Sequence, residues 1–240
     1  MKLTAKKIFT TKNVLWFVLF TFIVSIVFIL IRMYFAPTIA PAGDVTVRVK
    51  GDYVLMLLQC IVGVFAIALL RFLKRKVRLD IPSVMLVMYA VFLFCAIFLG
   101  EVRSFYYHVP YWDTLLHTFS GAALGALGFS IISLLNDSRS SLVSLSPAFV
   151  ALFAFCFAVT LGAIWEIYEF AADYLFGTNM QKYALETGEA LVGQAALFDT
   201  MKDVIVDTIG AGTISLIGYL SLKYQKDWLD HFRIKREKVS

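Results

Sequence analysis

The sequence predicts an all-α, polytopic membrane bundle of six transmembrane helices, with both termini in the cytoplasm. Three observations carry that reading. Hydrophobic residues make up 60% of the 240-residue chain and charged residues only 16%, where a soluble domain carries about a quarter. Six apolar runs approach the roughly 20 residues needed to cross hydrocarbon. Most Lys and Arg residues fall in segments that six crossings leave on one side, which the positive-inside rule assigns to the cytoplasm. The net charge of +5 belongs to that asymmetry. No nucleic-acid-binding module is recognisable, so the expected partners are membrane lipids and not nucleic acid.

Lys2, Lys6, Lys7 and Lys12 precede the first span, at about 13–33. The run is too long for the h-region of a cleaved signal peptide, although the small residues of APTIAPAG after it mimic a cleavage site and keep that alternative open. Pro37, Pro41 and Gly43 then stop the helix, and 45–49 alternate as a short exposed strand or loop would. The second span, 53–73, ends in RFLKRKVR, the densest basic run, which marks that loop as cytoplasmic. The third is 82–100, with Glu101 and Arg103 at its outer end. The fourth, fifth and sixth are 113–135, 147–170 and 201–222. All six form a single transmembrane domain, and 223–240 is a basic cytoplasmic tail. There Trp228, Phe232 and Ile234 stand among charges, as in a segment resting on an anionic leaflet. The stretch 174–198 is too polar to span and too long for an idle turn, so it reads as a binding loop or re-entrant cap. Tyr106, Tyr107, Tyr111, Trp112, Trp165, Tyr168 and Tyr174 read as interface anchors. Cys60, Cys95 and Cys156 each sit in an apolar run with no CxxC pair, as packing residues do.

The sixth span opens FDTMKDVIVDTIGAG. Asp199, Asp203 and Asp207 recur every four residues, so they share one helical face, and Asp207 lies about 12 Å deeper than Asp199. An intramembrane acid persists only where it faces a partner, water or the bundle interior. Asp113 and His117 share a face of the fourth span, and Glu166, Glu169 and Asp173 share one on the fifth. All eight groups belong to the outer layer. Gly121 and Gly125 continue the Asp113–His117 row, and close glycine contacts with Gly210, Ala211 and Gly212 are expected to seat the fourth helix on the sixth. Trp112-Asp113-Thr114-Leu115-Leu116-His117 also echoes Phe198-Asp199-Thr200-Met201-Lys202-Asp203, as a degenerate two-helix duplication would.

Two chemistries suit this constellation. In the first, His117, Asp113, Glu166, Asp199, Asp203 and Asp207 are candidate ligands of a divalent metal ion: zinc or manganese for mixed N/O ligation, magnesium for the carboxylate excess. Asp113, His117, Glu166 and Glu169 are then the candidate catalytic residues of metal-dependent hydrolysis, or of simple binding, of a small-molecule or lipid-headgroup ligand. In the second, the same groups relay a proton or cation for transport. A non-catalytic membrane partner is the third reading. No nucleophile elbow, P-loop, HExxH or dinucleotide fingerprint is present.

The motifs PxWDxxLHxxSG ending at Gly121, WExxE from Trp165 and DTxxDxxxDxxGA from Asp199 resemble the YjdF-type family of bacterial membrane-spanning proteins. More distantly they resemble VanZ-like proteins, with their Asp-xxx-His helix start, later Glu helix and Asp helix leading to glycines. The resemblance covers about 107–218. It implies a multi-pass protein of the bacterial cytoplasmic membrane whose signature positions are these acids. The VanZ likeness implies an envelope role, from which this chain departs by carrying Glu166, Glu169 and Asp173 in place of that group's motif.

Overall fold

The computed structural model describes residues 10–39, 48–76, 79–136, 145–185, 187–226 and 228–236. Lys2, Lys6 and Lys7, Pro41 and Gly43, the alternating residues 45–47, Arg78 and the last tail residues lie outside them.

The chain is helical almost throughout. Six helices are long and apolar enough to cross a membrane: α1 (Thr11–Phe35), α2 (Lys50–Lys76), α3 (Ser83–Leu93) continued by a π-helix (Phe94–Val102), α5 (Trp112–Asn136), α6 (Pro147–Phe176) and α7 (Gln194–Lys223). A short α4 (Phe105–His108) follows the third span. Two-residue strands, β1 (Leu79–Asp80) and β2 (Lys235–Arg236), pair antiparallel with Leu79 opposite Arg236. Apolar side chains such as Phe20 on α1 and Ile167 on α6 remain exposed, as lipid contact requires.

The fifth and sixth helices outrun the hydropathy signal. α6 continues to Phe176 and α7 begins at Gln194, so the predicted loop shrinks to 177–193. Glu169, Asp173 and Asp199 look like the ends of hydrocarbon, but a helix continues wherever its polar residues find partners. Local chemistry sets the boundaries of α6. Ser146 accepts from the Phe149 N–H, with Pro147 in the first turn, where its missing N–H is no loss. At the far end Gly177 takes φ +64° and its N–H bonds back to the Asp173 carbonyl.

Two packing units result. Spans one to three share a core of Phe22, Ile29, Met56, Cys60, Ala90 and Ile97. Spans four to six pack on one another, through Phe129, Ile132, Val150 and Ala154 towards the tail end. In lipid no hydrophobic force draws helices together, so close approach depends on small residues. A Cβ added at Gly121 would lie 2.2 Å from the Asp207 carbonyl oxygen, and one at Gly210 the same 2.2 Å from that of Thr118. Gly125 has looser contacts, the nearest at 3.4 Å, and Gly212 faces Phe155 of α6, not the fourth span as its sequence neighbourhood implied.

The tail folds back on the bundle. Ile234 is buried against Ile81 and Leu86, and the Ser130 hydroxyl donates to the Phe232 carbonyl. Ile234 therefore packs on protein, while Trp228 stays exposed.

Candidate functional site

The starts of α5 and α7 and the end of α6 meet at one end of the second unit. The Gly121–Gly210 seam brings the backbones of α5 and α7 into contact, so His117 and Asp207 face each other. His117 Nδ1 lies 3.2 Å from Asp207 Oδ2, and the Ser120 hydroxyl donates to Asp207 Oδ1 at 2.7 Å. On α6, Gly162 leaves the room this carboxylate needs, since a Cβ there would come within 3.0 Å of Asp207 Oδ2. With Asp207 accepting from Nδ1–H, the imidazole keeps the tautomer in which Nε2 carries the lone pair. That nitrogen faces Asp113 Oδ1 at 3.6 Å and Asp203 Oδ2 at 3.9 Å.

Two lysines close the cluster from outside. Lys182, in the 177–193 loop, reaches Asp113 Oδ2 at 2.5 Å and Asp199 Oδ2 at 3.1 Å. Burial works against its charge, but the facing Asp113 and Asp199 carboxylates outweigh that and raise its amine above the ordinary value. Lys202 sits 3.0 Å from Asp199 Oδ1 and 3.5 Å from Asp203 Oδ1. The loop is itself pinned by Asp173, which accepts from the Thr178 hydroxyl and the Met180 and Gln181 N–H groups. Neither lysine stood out in the sequence, because Lys182 is 69 residues from the aspartate it binds. Tyr106 was equally hidden among the aromatic anchors. Burial, with Asp113, Glu101, Glu169 and Asp203 around it, holds its phenol well above the ordinary value, so it remains a neutral donor.

The structure thus sorts the sequence candidates. Asp113, His117 and Asp203 each offer a ligand atom within 4.8 Å of the others. Asp207 is turned away from that set, behind the imidazole. Asp199 is taken up by the two lysines. Glu169 accepts from the Trp165 indole at 2.8 Å, and Asp173 braces the loop. Glu166 lies beside Thr200, with His117, Asp199 and Asp207 near it. It is 6% exposed, and neither of its oxygens has a hydrogen-bond partner of good geometry. Nearby Asp203, 1% exposed, likewise leaves Oδ1 without a hydrogen bond, its nearest cation being Lys202.

Donors around a cation at about 2.1 Å sit roughly 3.0–4.2 Å apart, and both Nε2–carboxylate separations already fall in that range. One imidazole nitrogen with two carboxylates is an open N/O set. Among the described residues, six carboxyl groups (Asp113, Glu166, Glu169, Asp199, Asp203, Asp207) gather with two lysines, an excess of acid that protons or a bound cation would offset.

A family profile described as "Predicted membrane protein (DUF2238)" matches residues 14–224. The chain belongs to this family. DUF2238 is also the YjdF-type group that the motifs resemble, and the match runs through all six spans. An uncharacterized protein of Thermotoga maritima is 28% identical over 140 residues, which is 58% of this DUF2238 chain and 64% of that relative. The chain therefore spans somewhat under two thirds of the relative's length. No solved structure matches.

Proposed function

We propose that this DUF2238 protein holds a divalent cation at Asp113, His117 and Asp203 and uses it to bind or hydrolyse a lipid or envelope headgroup at the outer face of a bacterial cytoplasmic membrane, with both termini inside. The observation that carries this is the convergence of three ligand atoms within 4.8 Å on two helices seated by a glycine seam. A cation there would polarise a phosphoryl or carbonyl oxygen, or activate water. Glu166, buried beside Thr200, is the group placed to accept that water's proton. The distant VanZ likeness of the same motifs supports an envelope role.

The test is element analysis of detergent-purified protein after equilibration with zinc, manganese or magnesium. About one equivalent of metal in the wild type, lost in Asp203→Ala, is the expected result. A metal-free wild type removes the proposal.

A cation- or proton-coupled transporter is the alternative. Ser215, buried without a hydrogen-bond partner two turns beyond Asp207, favours it as a polar step along α7. Against it, the seam at Gly121 and Gly210 closes the α5–α7 contact directly beneath Asp207. Flux into proteoliposomes under a pH gradient, abolished by Asp207→Asn, is what transport requires. A non-catalytic partner protein predicts that neither variant matters.

A further inference from the structure

On α6 the exposed apolar side chains run from Phe149 to Phe176, 27 residues apart and so roughly 40 Å along the helix. The hydrocarbon of a bilayer is only about 30 Å deep, and a tilt of about 20° shortens the projection by just a few ångströms. One end of α6 must stand beyond it. On α7 the boundary away from the acids is marked by Tyr219 and Lys223, whose ammonium lies 5.4 Å from the centre of that ring, a pairing typical of a membrane surface. Some 20 residues before them, about 30 Å along the helix, come Asp199 and Asp203. The acids therefore stand at the far edge of the hydrocarbon, and the surplus helix lies above them.

A helix that left lipid for water there would turn polar on its outer face. These do not. Tyr174, Leu175 and Phe176 end α6 exposed, and Leu197 and Phe198 stand exposed near the start of α7. Single exposed apolar residues need no explanation, but a contiguous set does. The hairpin between the two helices extends the same surface. Leu191 N–H bonds to the Tyr183 carbonyl and Leu185 N–H to the Glu189 carbonyl, while Gly188 supplies the φ of +82° at the turn. With these backbone groups paired, the hairpin exposes Tyr183, Leu185 and Val192.

We infer that this apolar collar and hairpin rest in the headgroup layer, which sets Asp113, His117 and Asp203 at the depth of the lipid phosphate and glycerol groups. That layer adds roughly 5–7 Å to each side of the hydrocarbon and accommodates aromatic and apolar side chains. Its lipid is the occupant because the collar continues the faces that Ile167 and Phe170 of α6 and Met201 and Ile205 of α7 turn to the bilayer. Taken with the cation site proposed above, on which this one step rests, the depth makes the ligand a lipid of that leaflet, entering from the side. A solute arriving from water would instead have to pass Lys182 and Lys202, which close the cluster from above.

The test is the depth of nitroxide labels on the full chain in phosphatidylcholine bilayers, read from relaxation by oxygen, which favours lipid, against a water-soluble nickel chelate. Phe176→Cys and Phe198→Cys carry the labels, with Leu216→Cys as the mid-span reference and free label in buffer as the aqueous one. All three side chains are exposed, so the fold does not depend on them. Cys95→Ala and Cys156→Ala remove the other reactive thiols, and Cys60 is fully buried. Both collar labels should give an oxygen-to-nickel ratio between the two references. A ratio equal to that in buffer overturns the inference and leaves only a solute as ligand. A Phe198→Cys ratio equal to that of Leu216→Cys overturns it too, by putting the acids inside the hydrocarbon. Neither result touches the metal, which element analysis decides, and a metal-free protein leaves the measured depth as it is.

Discussion

His117 and Asp207 hold each other across α5 and α7, Nδ1 to Oδ2 at 3.2 Å, while Ser120 secures the other carboxylate oxygen. Behind a metal-binding imidazole such a carboxylate sets the tautomer and the ring orientation. Asp207→Asn preserves the shape but replaces the acceptor, and we expect divalent-cation affinity to fall about 10- to 100-fold, against complete loss in Asp203→Ala. Calorimetric titration of manganese or zinc checks the order; an Asp207→Asn protein with wild-type affinity contradicts it.

The glycine seam makes a sharper forecast. Gly121→Ala and Gly210→Ala place a Cβ against backbone, which cannot yield like a flexible side chain, and each is expected to destabilise the protein by about 1–3 kcal/mol or more. Gly125→Ala meets only the Ile214 side chain and an edge of backbone at ordinary distances, so it should stay near wild type. Thermal unfolding in detergent separates the three. If all behave alike, the seam is not what joins these helices.

Lys182 ties the 177–193 loop to two helices at once, with φ +48° at its own backbone. Lys182→Ala should free the loop, seen as faster proteolysis and amide exchange there. With this side chain partly exposed, we set the contribution at about 1 kcal/mol. The sign follows from a folded-state value above the ordinary 10.5. The stabilisation is complete below 10.5 and is lost only as pH rises through the folded value. Between neutral and moderately alkaline pH, therefore, loop protection in the wild type should not vary on account of this lysine. A fall in protection between pH 7 and 9 would contradict that account.

Glu166 carries a desolvated carboxyl with no partner of good geometry. Such groups persist at functional sites at the expense of stability. Glu166→Gln should raise thermal stability by about 1 kcal/mol while impairing whatever the site does. A lower melting temperature in this variant shows instead that the carboxyl is structural.

Much of this was legible in the sequence, for reasons that differ by element. Hydropathy marked six spans because lipid demands continuous apolar surface. The i, i+4 spacing of Asp113 with His117 and of Asp199, Asp203 and Asp207 put each set on one face, and Gly121 showed which face meets another helix. What spacing along one helix does not encode is which partner arrives from elsewhere. Lys182 comes from a loop, Gly162 from α6 and Tyr106 from α4, and no local pattern announces them. The ends of α6 and α7 were also invisible, since Asp173 and Asp199 resemble boundary residues until their partners are known. The π-helix at Phe94–Val102 follows from no feature of its apolar sequence.

The pairing of Lys235 with Asp80 has a practical side. The last described residues are a fastener between the tail and the turn that follows α2, and they steady Arg233 on the way. Anything hung directly on that end, such as an affinity handle or a fluorescent fusion, pulls on the clasp.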